Sequence, residues 1–124
     1  EQLGVADLVG LRNDSTTNLE TAVGDFSPNV IEVVGFLEYR PDGKALTLLT
    51  RLRSLLVEGG SLVVSQIAPN LERYFLSVVI DWPMVYRSRK KFEELLNSSG
   101  FGGDTRTLVY EPMGIHGVAV CRKG

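Results

Sequence analysis

The sequence predicts a single α/β domain built on a parallel sheet that closes with an antiparallel hairpin. Three observations carry this. A β-branched run, Val30-Ile31-Glu32-Val33-Val34, breaks at Gly35, and a helix opens after Pro41-Asp42. Gly59-Gly60 ends that helix, and a second β-run from Ser61 to Gln66 follows at once. Strand, helix and strand within about 40 residues make a right-handed parallel crossover. Finally, Thr105 to Tyr110 and Ile115 to Arg122 are separated only by Glu111-Pro112-Met113-Gly114, a loop short enough for a hairpin.

Size and composition agree. The chain has 124 residues, of which 44% are hydrophobic and 23% charged, which suits one folded domain with a core of its own. The formal charge of -2 gives no reason to expect a nucleic-acid partner. The basic cluster Arg87 to Lys91 reads as a solvated face. The apolar run from Leu71 to Val85 is interrupted by Glu72, Arg73 and Asp81, so no membrane span is expected. A lone cysteine, Cys121, excludes an intramolecular disulfide and fits a reducing compartment such as the cytoplasm. No signal-peptide pattern is visible. Glu1-Gln2-Leu3-Gly4-Val5 reads as a helix tail capped at Gly4, which has the look of a cut end.

In chain order, Ala6 to Arg12 is expected to form a short strand ending in the polar cluster Asn13-Asp14-Ser15. Thr17 and Glu20 have capping-box spacing, which predicts a short helix from Asn18 to about Val23, closed by Gly24. The strand Val30 to Val34 carries Glu32, a charge that belongs at an edge or facing a polar pocket. Asp42 is a good N-cap, and Ala45, Leu48, Leu49, Leu52, Leu55 and Leu56 recur at helical period behind it. A second helix is expected from Leu71 to about Ile80, capped by Asn70, with Leu71, Tyr74, Phe75 and Val78 as an apolar stripe that reads as core, with lining of a pocket as the alternative. Ser88 caps a third, Arg89 to about Ser98, with Phe92, Leu95 and Leu96 inward, and Gly100-Phe101-Gly102-Gly103 stops it.

Most chemical motifs are missing. There is no P-loop, no GxSxG, no HExxH and no cysteine cluster, and with one histidine and one cysteine no metal site is expected. His116 heads the last strand as a structural residue, and Cys121 reads as a small buried side chain. Among the carboxylates near the first strand, Asp42 reads as a cap and Glu32 as a strand residue. Glu38 follows the strand-end glycine on a loop that a ligand can reach, so a functional and a structural role both stand for it.

The order of these pieces resembles the C-terminal part of class I S-adenosylmethionine-dependent methyltransferases. Asn29-Val30-Ile31, Leu37-Glu38-Tyr39 and Pro41-Asp42 look like that family's fourth strand and the loop behind it. Leu56-Val57-Glu58-Gly59-Gly60 is similar to its Leu-Lys-Pro-Gly-Gly. Tyr86-Arg87-Ser88, Phe92-Glu93-Glu94-Leu95-Leu96 and Gly100-Phe101 look like its later elements. Glu58 stands where the family has proline and Asn29 where it has aspartate. The likeness covers roughly residues 6 to 123.

The resemblance implies a partial Rossmann-like sheet in the family's order 4-5-7-6, with helices on both faces and its first two strands absent from this chain. It implies one incomplete domain over 1–124, in which 1–27 hold the third strand and a linker. It implies S-adenosylmethionine as cofactor, touched by Asn13, Asp14, Ser15, Val34, Gly35 and Phe36. Asp14 would accept from the adenine amino group. Glu38 or Tyr39 would act as general base toward a small or lipid-like acceptor contacted by Tyr74, Trp82, Tyr86 and Arg87. Methyl transfer is an in-line displacement, so such an enzyme mainly positions its reactants. The family's glycine-rich loop and its ribose-binding carboxylate are not in the sequence and are expected upstream of Glu1, so the chain alone should be inactive. The third strand would lie about 14 Å from the fourth, at about 4.8 Å per strand. Residues 6 to 27 should then be poorly anchored, or held by a neighbouring copy, and an N-terminal half or a second copy would be needed to complete the sheet. A non-catalytic interaction or regulatory subunit is the alternative, to be told apart by the sequence upstream. A nicotinamide-dependent dehydrogenase fragment fits less well, because the antiparallel closing pair does not suit the regular Rossmann order.

Overall fold

The structure is a computed structural model, and it describes residues 8–124. The expected helix tail at Glu1 to Val5, with its cap at Gly4, lies outside the described residues, as do Ala6 and Asp7 of the first expected strand. The remainder of that strand is not formed. Val9 to Arg12 are irregular and exposed, because among the described residues no neighbouring strand is at hand to take up their backbone N–H and C=O groups.

Among the described residues four strands make one sheet. Strand β1 is Val30–Val33, β2 is Ser61–Ile67, β3 is Arg106–Tyr110 and β4 is His116–Arg122, and their order across the sheet is β1-β2-β4-β3. β1 runs parallel to β2, with Val30 opposite Ser61 and Val33 opposite Val64. β4 is antiparallel to both neighbours, pairing Ser61 with Arg122 on one side and Tyr110 with Gly117 on the other. This is the expected 4-5-7-6 arrangement. The turn into β2 needs Gly60, where a Cβ would stand 2.9 Å from the carbonyl oxygens of both Asn29 and Val57.

The helices are α1 (Leu19–Val23), α2 (Asp42–Leu55), α3 (Glu72–Tyr74) and α4 (Arg89–Ser98). Leu48, Leu49 and Leu52 of α2 meet Phe92 and Leu96 of α4 over Leu62, Val64, Ala119 and Cys121 of the sheet, in one continuous core. Burying a side chain of this size contributes about 1.5–3 kcal/mol. Ser88 caps α4 as expected, its hydroxyl accepting from Lys91 N–H at 3.3 Å.

Among the described residues the expectation of helices on both faces needs correction. Residues alternate along the strands between a buried set (Leu62, Val64, Gln66; Ala119, Cys121) and an open set that includes Val109, Val118 and Val120. The crossovers β1–α2–β2 and β2–α4–β3 advance in the same direction across the sheet, and right-handed connections advancing one way put their helices on one face.

The segment after β2 also departs from expectation. α3 is a single turn that continues as a π-helical stretch, Phe75–Val79. Asn70 does support its start, accepting from Glu72 N–H at 3.0 Å. The expected stripe is not buried, however: Leu71, Tyr74, Phe75 and Val78 are all exposed, Leu71 at 91%. The apolar period is real, but α2 and α4 already fill the covered face, so the stripe has no described protein surface against it.

Candidate functional site

The loop leaving β1 lies at the carboxyl edge of the parallel strand pair. Val34 is exposed, and Gly35 turns the chain at φ 69°, a left-handed conformation that glycine adopts without penalty. Its N–H donates to Ser65 Oγ of β2 at 3.1 Å. A 3-10 turn, Leu37–Tyr39, follows, closed by Tyr39 N–H to Phe36 O at 3.1 Å and Arg40 N–H to Leu37 O at 3.0 Å. Leu37 anchors this turn in the core, and the anchor carries Glu38 inward with it. Glu38 is only 5% exposed, and among the described residues its Oε2 has no hydrogen-bond partner. The other oxygen, Oε1, lies 3.8 Å from where a Cβ on Gly35 would stand. A buried polar atom without a partner is unusual in a folded protein and asks for an explanation. Tyr39 is more open, and its hydroxyl accepts from Trp82 Nε1–H at 3.0 Å. The structure therefore joins one expected catalytic residue to one expected acceptor contact. Arg40 lies over the Phe36 ring, 4.3 Å from its centre.

Arg87 departs from both of its expected roles, a member of a solvated basic run and an acceptor contact. It is 3% exposed, and its guanidinium is taken up by the protein itself. Nε donates to Asp42 Oδ1 at 2.9 Å, Nη1 to Leu37 O at 3.0 Å and Gln66 Oε1 at 2.7 Å, and Nη2 to Arg40 O at 2.6 Å. Asp42 is accordingly not an N-cap. Pro41 occupies that position, and the Asp42 carboxylate at the first helical residue faces Arg87. Tyr86 has its hydroxyl buried without a partner among the described residues. It lines a cleft of about 360 Å³ between α2 and α4, together with Asp42, Lys91 and Glu94. Tyr74 turns to Arg73, whose Nη2 donates to its hydroxyl at 2.8 Å.

The cluster Asn13, Asp14 and Ser15 folds on itself. Asp14 Oδ1 accepts from Ser15 N–H at 2.8 Å and Asn18 Nδ2–H at 2.9 Å. The Asn18 amide first, then the Ser15 N–H, holds its carboxyl below the usual carboxylate range. The following turn is anchored, contrary to expectation. Arg51 of α2 donates to Thr16 O at 2.9 Å and Thr17 O at 3.1 Å and forms an ion pair with Glu20. Thr16 and Leu19 of this turn line an apolar groove of about 340 Å³ together with Val33, Val34 and Phe36 at the exit of β1.

Among the described residues no group of metal-ligating side chains comes together, and no helix is long and apolar enough to cross a membrane. Cys121 is buried, and burial pushes its thiol up to about 11. Sequence reasoning missed Ser65 and Gln66. Gln66 carries a signal: it falls on the inward phase of an otherwise apolar strand, where an amide needs partners.

No family model matches the sequence, and no curated protein matches it at a significant level. Solved structures do match. A protein of Bordetella parapertussis described as a possible exported protein superposes with a TM-score of 0.67 at 18% identity, over 78% of this chain and 39% of its own. Human N-acetylserotonin methyltransferase, in complex with S-adenosylmethionine, gives 0.61 at 21% identity, over 77% and 29%. Magnesium protoporphyrin IX methyltransferase from Synechocystis, with S-adenosylhomocysteine bound, gives 0.56 at 13% identity, over 77% and 44%. This chain thus spans less than half the length of each.

Proposed function

We propose that this chain, which has the fold of the C-terminal part of class I S-adenosylmethionine-dependent methyltransferases, is a portion of such an enzyme. In this reading the loop after β1 carries the acceptor side of its site. The observation that carries the reading is Glu38: a buried carboxyl group with an oxygen left unpartnered among the described residues, beside a left-handed glycine at the carboxyl end of a parallel strand. Ligands of open α/β folds bind at such strand ends. Leaving a buried acceptor unsatisfied costs about 1–3 kcal/mol, a cost that a ligand's donor would remove.

The residues present fit one side of the cofactor. Val34, Gly35 and Phe36 offer an apolar wall and open backbone, and the groove beside them reaches Thr16. Asp14, with Asn13 and Ser15, would offer its second carboxylate oxygen to the adenine amine, since Oδ1 is already engaged. No glycine-rich methionine-binding loop and no ribose-binding carboxylate is found in the sequence, and the reading assigns both to further chain upstream of Glu1. S-adenosylmethionine supplies an electrophilic methyl group on a sulfonium. The chain's own residues orient and deprotonate: Tyr39 and Trp82 form an aromatic pair at the mouth of the site, and Glu38 accepts the acceptor's proton as general base. The aromatic surface suits a small or lipid-like acceptor, and the lone, buried Cys121 suits a cytoplasmic setting.

Isothermal titration with S-adenosylhomocysteine tests the reading. The 124 residues alone should bind weakly, and the chain with its native upstream residues should bind in the micromolar range. Absence of binding by the longer protein would overturn the enzyme reading in favour of a non-catalytic subunit.

A further inference from the structure

Arg87 lies 47 residues from Arg40 and 50 from Leu37, yet it holds both of their carbonyls. These flank Glu38 and Tyr39 in sequence. A second contact from the same segment holds the carbonyl of Glu38 itself, which accepts from Val85 N–H at 2.6 Å. Three backbone carbonyls of one short loop are thus fixed by residues 85–87. That segment is itself held to β2. Arg87 N–H donates to Ile67 O at 3.0 Å, and Gln66 Nε2–H donates to Val85 O at 2.8 Å while Gln66 Oε1 receives Arg87 Nη1–H at 2.7 Å. The side-chain amide and the guanidinium form one buried network in which donors and acceptors match.

We propose that Arg87 and Gln66 are positioning residues: together they lock the loop after β1 so that Glu38 is held buried and Tyr39 stays on Trp82. The planar guanidinium suits this task because its fork reaches carbonyl, amide and carboxylate acceptors at once, which a lysine ammonium does not. Asp42 balances the charge and ties the same cation to the first turn of α2. The assignment of a catalytic role to the loop rests on the function proposed above; the locking does not.

Trp82 is the sole tryptophan and hydrogen-bonds Tyr39 rather than Arg87, so its emission and acrylamide quenching report the loop at one remove. Arg87→Met, Arg87→Lys and Gln66→Met are compared with the parent chain, with far-UV circular dichroism as the check on folding. Arg87→Met and Gln66→Met should keep the parent dichroism while raising the quenching constant about 1.5- to 2-fold, Tyr39→Phe alone should raise it equally, and Arg87→Lys should recover only part of the parent value. Adding Tyr39→Phe to Arg87→Met should give no further change, because both act through one hydrogen bond. Parent-like quenching in a folded Arg87→Met or Gln66→Met would overturn the proposal, as would loss of the folded spectrum in both, since that would make the network a general prop. Cofactor titration is a separate measurement, so failure of the methyltransferase reading leaves this result interpretable.

Discussion

Replacing Glu38 by methionine should make the protein more stable. Only 5% of the residue is exposed, and Oε2 has no partner among the described residues. The folded state therefore bears the desolvation of an acceptor with no compensating bond, a penalty of about 1–3 kcal/mol. Methionine has a similar length, no polar oxygen and enough flexibility to fill the same space, so the packing around Leu37 should survive. With a urea dependence of about 1–3 kcal/mol per molar for a small domain, the midpoint of unfolding should rise by about 1 M. Glu38→Gln is the control: it leaves a polar group buried in the same place and should gain little. A fall in the midpoint for Glu38→Met would show that the carboxyl group supports the fold, and the reasoning from an unsatisfied atom to a functional residue would fail with it.

Gly60→Ala should cost about 1–3 kcal/mol, read by the same denaturation, because its Cβ would press on two backbone carbonyls that cannot rotate away. Glu111 accepts from the N–H groups of His116, Ile115 and Met113, which together hold its carboxyl below the ordinary value of 4.5. A depressed folded value means that its stabilisation is present above that ordinary range and is lost as pH falls through the lower folded value. Acid titration followed by the amide signals of Ile115 and His116 should show the loss in the parent and not in Glu111→Gln. Cys121, buried with its thiol pushed up to about 11, should react with iodoacetamide under mildly alkaline conditions at least about tenfold more slowly than in urea, since the thiolate is the reactive form. Equal rates would mean that β4 opens readily.

What could be read from the sequence was set by local or short-range causes. The β-branched run before Gly35, the Gly59-Gly60 turn and the Ser88 cap each fix their element through neighbouring residues, and the parallel crossover follows from their spacing. The roles of polar side chains were legible only where their partners are close in sequence. Asp42 has the residue type of a cap, but its carboxylate answers to Arg87, 45 residues on. Arg87 sits among Arg89, Lys90 and Lys91 and so looks solvated, whereas its partners belong to β2 and the Leu37–Asp42 loop. The stripe from Leu71 to Val78 has core-like periodicity, and periodicity says that a face is apolar without saying what covers it. The same limit applies to Arg51, whose grip on Thr16, Thr17 and Glu20 anchors a stretch expected to be loose.

The central claim, that the carboxyl edge of β1 borders the cofactor in a methyltransferase site, is tested most directly by amide chemical shifts during titration with S-adenosylhomocysteine. Saturating ligand, even at the weak affinity expected of the 124 residues alone, should move Val34, Gly35 and Phe36 first and the Asn13–Ser15 turn with them, leaving β3 and β4 in place. Shifts confined to the opposite edge, around Glu58, Asp104 and Arg122, or no shifts at all in the longer protein, would contradict it.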